Sequence, residues 1–392
     1  MKRRKVLHII TRLILGGAQE NTILTVEGLE KRRGYEVALA TGPPLGPEGS
    51  LVEEAGKKGI HLIMVPEMRR EVNPWRDVLT FIRLYRLIKQ GNYDIVHTHS
   101  SKAGILGRLA ARLAGTKIIV HTIHGLPFHE YQSRWVNCFY IFCERFSSLF
   151  TDKIITVAAV MTGKALTAKL APRKKFATIY SGMDLDRFLN PGVRVADKRK
   201  QIGIAPDLPV VGKIARLFPL KGHKYLLEAA AEVAKVYPQV KFLLVGDGIL
   251  RENLEKQAEA LGIKERIIFT GLVSQDEIPG LLAVMDIVVH TSLREGLARV
   301  LPQALACGKP VVSFDIDGAA EVVKEGKTGH LVPPEDSKKL ADAIIDLLKD
   351  KEKARKMGAT GKRLVDPAFR VEMMVDRIAE LYEELFLKHK KV

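Results

Sequence analysis

The sequence predicts an α/β protein with two doubly wound parallel sheets. Apolar runs of strand length alternate with amphipathic helical patterns along both halves of the 392-residue chain. This alternation is typical of right-handed βαβ units whose sheets are covered on both faces. A segment rich in charge, glycine and proline, Ser181–Asp207, separates the two halves. We therefore expect two domains, in agreement with the chain length.

The first half contains six strand-length runs separated by helical patterns. The strands are expected in KVLHII, EVALAT, IHLIMV, YDIVHT, KIIVHT and KIITVA. Apolar residues recur with helical spacing in four segments, which are Gln19–Arg33, Pro74–Lys89, Lys102–Leu113 and Arg134–Phe150.

The second half repeats the scheme and ends in a helix. Its strands are expected in PVVGKIA, KFLLVG, RIIFTG, DIVVHT and PVVSFD. The last amphipathic pattern, Arg370–Leu387, has no strand after it, so we expect it to pack back on the first domain. The predicted boundaries are 1–185, 186–370 and 371–392.

The composition favours a cytoplasmic protein without a membrane span. No apolar run approaches the roughly 20 residues of a membrane helix. The basic start resembles a signal peptide, but His8 and Arg12 interrupt its apolar part, and a strand followed by a glycine turn explains it better. The three cysteines form neither a metal-ligand spacing nor an even disulfide set, which favours a reducing compartment.

The net charge of +17 lies mainly in the first half of the chain. Residues 1–190 hold 29 Lys and Arg against 16 Asp and Glu, whereas residues 191–392 hold 33 against 29. This asymmetry indicates an anionic partner for the first half: nucleic acid, a phosphate-bearing substrate or an anionic membrane. A basic, solvated surface without a partner explains it as well.

Loops that follow strands carry the residues expected to bind a phosphate. Gly16 and Gly17 separate the first strand from a helix, where backbone N–H groups and the helix dipole suit an anion. They match neither a dinucleotide fingerprint nor a P-loop, and a plain tight turn explains them equally. Arg216 and Lys221 occupy a similar loop in the second half, and two cations at a helix start suit a diphosphate.

Two further glycine loops follow strands of the second half. Gly246-Asp247-Gly248 is either a capped turn or the rim of a nucleotide pocket. Gly271-Leu272-Val273 presents backbone groups that could contact a nucleobase edge. Neither glycine pattern alone is specific to a nucleotide-binding site.

Histidines cluster at strand ends of the first half, at His97, His99, His121, His124 and His129. No acidic partner with metal-ligand spacing accompanies them, so we predict no metal site. We interpret the histidines at 97 and 121 as core residues. Those at 99 and 124 are better placed to contact a sugar hydroxyl or move a proton.

The stretch Thr291–Val312 combines a carboxylate on a loop with an amide inside an apolar helical pattern. Glu295-Gly296 follows a strand, and Gln303 comes eight residues later. Ala306-Cys307-Gly308-Lys309-Pro310-Val311 ends the helix. Together with the loops above, this stretch resembles the retaining nucleotide-sugar glycosyltransferases of the large bacterial GT-B family known as glycosyl transferases group 1. The resemblance covers almost the whole chain.

The resemblance implies a GT-B architecture, with two Rossmann-like domains facing a central crevice and a C-terminal helix that crosses back to the first domain. It implies a donor nucleoside-diphosphate sugar, UDP- or GDP-linked, and no cofactor. Glu295 would hold a hydroxyl of the donor sugar, and Gln303 would reach the ribose. Arg216 and Lys221 would clamp the diphosphate, and His124 would lie beside the transferred sugar. We therefore predict Glu295, His124, Arg216 and Lys221 as the catalytic residues.

The remaining predicted contacts follow from the same resemblance. The donor-binding candidates are Gly16, Gly17, Arg216, Lys221, Gly246, Val273, Glu295, Gly296, Leu297, Ala298, Arg299 and Gln303. The acceptor-side candidates are His99, His124 and Phe128.

The chain departs from the family pattern at three places. Gln303 stands where Glu is usual, Ala298-Arg299 where Gly and an apolar residue are common, and Ser181 where Asn is usual. Arg299 either touches phosphate or lies on the helix surface. These departures leave the donor nucleotide and sugar open.

Two other functions fit parts of the sequence. A sugar-nucleotide epimerase shares the two-domain fold, but the Glu295-Gly296 to Pro310 pattern argues against it. A nucleic-acid-binding protein would use the basic first half, yet no recognised nucleic-acid motif appears. We expect no binding to random DNA or RNA on a filter.

Two helical segments of the first half indicate peripheral attachment to the inner face of the cytoplasmic membrane. Pro74–Gln90 interleaves basic and apolar residues, and Phe128–Phe146 concentrates aromatic residues. A lipid-linked acceptor in polysaccharide, lipopolysaccharide or glycolipid synthesis would fit such a surface. Ordinary helices that cover a sheet explain both segments equally well.

Overall fold

The chain folds into two compact α/β units. The computed structural model describes residues 3–46 and 48–390. The first unit takes in the chain up to Met183 and again from Val371 onward, and the second is Asp184–Arg370.

The first unit is built on a seven-stranded parallel sheet in the order β3-β2-β1-β4-β5-β6-β7. Its strands are β1 (Arg4–Arg12), β2 (Tyr35–Gly42), β3 (His61–Met64), β4 (Ile95–His99), β5 (Ile118–Ile123), β6 (Lys153–Thr156) and β7 (Phe176–Thr178). The strand order reverses between β1 and β4, and the edge of a parallel sheet beyond such a reversal is where ligands usually bind.

Helices cover both faces of this sheet. They are α1 (Gly17–Lys31), α2 (Val52–Lys57), α3 (Pro74–Gly91), α4 (Ser101–Ala114), α5 (Arg134–Ser148) and α6 (Ala159–Thr167). Strand side chains alternate between the faces: Val6 and Ile10 pack in the core with α1, whereas Leu7 and Ile9 pack in the core with α3 and α4. α5 in turn packs on α4.

The second unit repeats the design with a six-stranded parallel sheet in the order β10-β9-β8-β11-β12-β13. Its strands are β8 (Val210–Ile214), β9 (Lys241–Val245), β10 (Ile267–Phe269), β11 (Ile287–His290), β12 (Val311–Phe314) and β13 (Gly329–Val332). Here the order reverses between β8 and β11.

Nine α-helices lie within the described residues of the second unit. They are α7 (Asp186–Leu189), α8 (Val195–Gln201), α9 (His223–Val236), α10 (Arg251–Ala260), α11 (Ile278–Val284), α12 (Val300–Ala306), α13 (Ala319–Val322), α14 (Ser337–Lys349) and α15 (Lys351–Val365). One apolar core joins α9 and α14 to the sheet.

The last helix, α16 (Val371–Lys390), belongs to the first unit and packs on α1. Gly28 permits this contact, because a Cβ at that position would lie 2.5 Å from a methyl carbon of Val375. Tyr382 is buried in the core of the first unit.

The predicted fold class is confirmed, and the differences are confined to short elements. β7 and β13 were not predicted because they are edge strands of three and four residues with little apolar pattern. α2 and α6 were also missed, because helices of six and nine residues carry too few turns to show a period. Among the described residues, no helix is both long and apolar enough to cross a bilayer.

Candidate active site

The predicted donor residues gather on loops at the carboxyl ends of strands in the second unit. The loop after β8 carries Arg216 and Lys221, and the loop after β11 carries Glu295. These two strands are neighbours at the point where the strand order reverses. Residues more than 70 positions apart in sequence therefore meet at one edge of the sheet.

Lys221 and Glu295 form an ion pair, in which Nζ donates a hydrogen bond to Oε1. The His290 Nε2 lies 3.8 Å from the same oxygen. Burial alone would raise the pKa of Glu295, but the Lys221 charge and the His290 contact more than offset it, so the pKa lies below its usual value. The Glu295 carboxylate is therefore charged at neutral pH.

Close contacts hold these two loops against each other and against the loop after β12. Leu220 and Gly222 both have φ of 65°, and a Cβ on the glycine would lie 1.9 Å from the Thr291 carbonyl oxygen. The Glu295 N–H donates to Asp317 Oδ2 at 2.7 Å. The close approach explains why a glycine stands directly before α9.

Lys213, which is not among the predicted site residues, lies buried beneath this ion pair. Its Nζ donates to Thr291 Oγ1 at 2.7 Å. Burial, together with the neighbouring Lys221 charge, lowers the pKa of Lys213 to about 7. The sequence signal was a lysine inside the apolar strand PVVGKIA, a position that lysine rarely occupies.

The other donor candidates line neighbouring loops. Arg216 is exposed, with its guanidinium carbon 5.0 Å from the centre of the Phe218 ring. Gly246, at φ 128°, donates from its N–H to the Gly271 carbonyl at 3.2 Å, so the loops after β9 and β10 are joined. Val273 follows on the second of these loops and is half-buried.

The segment after Glu295 is buried. Gly296, Leu297, Ala298 and Arg299 precede α12, and Gln303 lies buried within it. The suggestion that Arg299 lies on the helix surface is wrong, since only 8% of this residue is exposed. No hydrogen bond joins the Gln303 and Glu295 side chains in the described part of the chain.

In the first unit, Gly16 and Gly17 lie where the chain leaves β1 and enters α1. Gly16 caps the helix, and its carbonyl accepts from the Glu20 N–H at 3.0 Å. A Cβ on Gly16 would lie 2.7 Å from Gln19 Oε1. Both glycines therefore stand at the same sheet edge as the end of β4, where the strand order reverses.

The histidines form one group rather than separate sites. His97 and His99 in β4 are buried, and His8, which the sequence analysis noted only as an interruption, pairs with His97 in the sheet register. His99 Nδ1 lies 3.0 Å from Nε2 of His124, which follows β5. His99 thus contacts His124 from within the core. His121 is also buried, beside Thr98 at 2.9 Å.

Three of these histidines lie close enough to raise the question of a metal ion. Ring nitrogens of His8, His97 and His99 all lie within 4.8 Å of one another. No spacing within a single loop could have predicted this proximity, because His8 comes from a different strand. Phe128, the third acceptor-side candidate, is half-buried on the loop after β5.

Comparison with known proteins divides the chain as the fold does. The family described as Glycosyltransferase Family 4 matches residues 15–187, and the family described as Glycosyl transferases group 1 matches residues 195–364.

Two named relatives extend over most of the chain. The UDP-Gal:alpha-D-GlcNAc-diphosphoundecaprenol alpha-1,3-galactosyltransferase of Escherichia coli is 29% identical over 97% of this chain and 97% of its own length. The GDP-mannose-dependent alpha-(1-6)-phosphatidylinositol monomannoside mannosyltransferase of Mycolicibacterium smegmatis is 30% identical over 84% of this chain and 85% of its own.

A solved structure has the same fold. The crystal structure of HepE from Anabaena, in complex with UDP and glucose, matches with a TM-score of 0.84 and 25% identity, over 97% of this chain and 100% of that one. Neither the epimerase nor the nucleic-acid interpretation finds support among these proteins.

Proposed function

The chain belongs to the glycosyl transferases group 1 and is a nucleotide-sugar glycosyltransferase with the GT-B fold, and from that premise we propose its donor, mechanism and acceptor. The donor is a UDP- or GDP-linked hexose, and the reaction needs no cofactor besides it. The two named relatives use UDP-galactose and GDP-mannose.

The ion pair between Lys221 and Glu295 carries this proposal. A carboxylate charged at neutral pH can accept hydrogen bonds from sugar hydroxyls, while a cation in contact with it can attract a diphosphate. Donor binding would draw Lys221 toward the phosphates and leave the carboxylate to the sugar. Arg216 would then supply a second cation as charge develops on the leaving group.

We propose retention of the anomeric configuration, with a leaving phosphate oxygen accepting the proton of the acceptor hydroxyl. The pKa of Glu295 lies below its usual value, so this carboxylate is a weak base and a poor proton acceptor. The phosphate becomes more basic as the glycosidic bond breaks, and it lies on the face from which a retaining acceptor attacks.

Donor identity is tested first by thermal shift against UDP-, GDP- and ADP-hexoses. A ligand at 100 times its dissociation constant adds about 2.7 kcal/mol of stability. A shift with a UDP- or GDP-hexose supports the proposal, whereas a shift with ADP-hexose alone contradicts it. The anomeric configuration of the product, read by NMR, tests retention, and turnover that survives chelation tests the absence of a metal requirement.

The acceptor is proposed to be lipid-linked, presented at an anionic membrane. α5 is the main support, because its apolar side faces outward. Its aromatic residues follow helical spacing and stay exposed, at 87%, 61%, 66% and 47%, in the order Trp135, Phe139, Phe142 and Phe146. Its inward side instead carries Glu144, buried in an ion pair with Arg108.

α3 presents a second exposed surface of the same kind. Thr80, Leu84 and Ile88 face the core. Its exposed residues combine apolar side chains with bases, namely Trp75, Val78, Leu79, Ile82, Arg76, Arg83, Arg86 and Lys89. Helices that merely covered the sheet would bury these apolar residues, whereas helices lying in a membrane interface expose them together with bases.

A further inference from the structure

A continuous chain of hydrogen-bonded side chains runs through the first unit and reaches His124. It begins at Thr122 Oγ1, 2.7 Å from His97 Nε2. His97 Nδ1 lies 2.6 Å from the Tyr382 hydroxyl, which lies 3.5 Å from His8 Nε2. The remaining two links join three imidazoles.

These imidazole links have the geometry of direct hydrogen bonds. His8 Nδ1 and His99 Nε2 are 2.9 Å apart with ring centres at 5.2 Å, and His99 Nδ1 and His124 Nε2 are 3.0 Å apart with ring centres at 5.3 Å. In each pair, the distance between the two nitrogens is shorter than the distance between the two ring centres by about one ring diameter. The nitrogens must therefore lie on the line between the centres, in the plane of both rings, where the N–H bonds and lone pairs point.

The same geometry argues against a metal ion. A shared ion would need lone pairs from three imidazoles to converge on one point. Here the nitrogens of His97 and His99 are each directed at a neighbouring side chain, and His8 Nδ1 is directed at His99.

The buried imidazoles of this chain are neutral. Burial lowers the pKa of His8 to about 3, and burial followed by neighbouring histidines lowers the pKa of His97 and His99 well below the usual value. A neutral imidazole donates from one nitrogen and accepts at the other. Only two complete patterns then exist: every group donates toward His124, or every group donates toward Thr122.

We propose that Tyr382, His8, His97 and His99 act as a relay of positioning residues that decides which nitrogen of His124 carries its proton. In both complete patterns His8, His97 and His99 share one tautomer, Nδ1–H when the chain donates toward His124 and Nε2–H when it donates toward Thr122. The Nε2 of His124 accepts in the first pattern and donates in the second. The importance of this for catalysis rests on the proposed glycosyltransferase function and on the expectation, from the family resemblance, that His124 lies beside the transferred sugar. The relay itself does not.

The test reads the tautomers directly. Histidine labelled with ¹⁵N and long-range ¹H–¹⁵N correlation distinguish Nδ1–H, Nε2–H and charged imidazoles, and single His→Gln substitutions assign the signals. We expect His8, His97 and His99 to be neutral and in one common tautomer, with Nε2 of His124 carrying a proton only when that tautomer is Nε2–H. Opposite tautomers among them, a charged imidazole at positions 8, 97 or 99, or a stoichiometric metal ion in protein purified without chelators would overturn the relay.

A pair of tyrosine substitutions tests the connection through α16. Tyr382→Phe removes the hydroxyl that joins His97 to His8, and we expect the signals of His99 and His124 to change. Tyr35→Phe is the matched control, because Tyr35 also bonds α16, through Glu383 at 2.9 Å, outside the relay. Unchanged His124 signals in Tyr382→Phe, or equal changes in both variants, would contradict the proposal.

Kinetics separate the relay from the proposed function. In Tyr382→Phe we expect kcat to fall measurably, by up to about tenfold, the effect of one hydrogen bond, with the donor KM unchanged. Altered tautomers with unchanged kcat would leave the relay standing and remove His124 from the reaction. A donor KM that rises while kcat holds would indicate a structural role for Tyr382 and overturn its part in the relay.

Discussion

Lys221 and Glu295 stand 74 residues apart in the sequence, yet they form one ion pair at the edge where β8 and β11 adjoin. The pair brings the predicted diphosphate clamp into contact with the predicted sugar contact. Its two opposite charges suit a ligand of mixed character, anionic at the phosphates and hydroxylated at the sugar.

Replacement of Glu295 should abolish most turnover while the fold persists. The side chain lies on a loop and is about one quarter exposed. We expect Glu295→Ala to lose roughly 2–4 kcal/mol of transition-state stabilisation, measured as kcat/KM. Glu277→Ala, which also removes one ion pair, with Lys198, is the control for stability. Near-normal turnover with a normal melting curve would contradict the assignment of Glu295.

The diphosphate clamp should discriminate between phosphorylated and bare nucleosides. We expect Arg216→Ala and Lys221→Ala each to raise the dissociation constant of the nucleoside diphosphate more than that of the nucleoside, because both side chains act on phosphate charge. Calorimetry measures both constants. Lys256→Ala, an exposed lysine on α10, serves as control. Equal losses for the two ligands would indicate damage to the loop instead.

The buried Lys213 should make stability depend on pH. Its pKa of about 7 lies below the value in the unfolded chain. Between pH 7 and about 10 the unfolded state therefore binds more protons, and stability rises with pH by at most about 1.4 kcal/mol per pH unit. We expect the free energy of unfolding of Lys213→Met to rise less over this range. Parallel pH curves from urea unfolding of the two proteins would show that Lys213 stays charged.

The bases of α3 should contribute to membrane attachment. We expect binding to anionic vesicles to weaken steeply with salt, and Arg86→Glu with Lys89→Glu to weaken it further without changing nucleotide affinity. Arg83 is less suitable, because it pairs with Glu67 at 3.2 Å. The charge-matched control is Lys338→Glu with Lys349→Glu on α14. Equal effects of the two double variants would indicate that vesicle binding depends on the net charge of the protein and not on α3.

The aromatic residues of α5 should contribute independently of salt. Trp135→Ser with Phe142→Ser removes two rings that are 87% and 66% exposed, so we expect co-sedimentation with vesicles to fall while the melting temperature changes little. Leu272→Ser, an exposed apolar residue of the second unit, is the control. Full co-sedimentation of the α5 variant would assign these rings another role.

Sequence reasoning predicted the elements better than the contacts between them. The bounds predicted for α3, Pro74–Lys89, differ from the structure by two residues, because a long amphipathic period and a proline at the helix start define them. Glu295 and Lys221 were each predicted separately. Their pairing was not, because it depends on strand order, which the local pattern does not encode.

The relay could not be predicted from the sequence for a related reason. His8 and Tyr382 are each single polar groups in apolar patterns, and each alone resembles a core residue. Only the register of β1 against β4 and the docking of α16 bring them together. The burial of Arg299 was likewise missed, because a helical period cannot tell which side of a short helix such as α12 is covered.

The docking of α16 also bears on the order in which the protein is made. Met374, Val375 and Tyr382 belong to the same apolar core as Val6 and Ile10, yet the ribosome synthesises the whole second unit between them. Nascent domains generally fold as units from the N-terminus. Here we expect the second unit to finish folding first. Asp184–Arg370 can form its complete core while the first sheet still exposes the surface that α16 will cover. That exposed surface is where a chaperone would bind during synthesis.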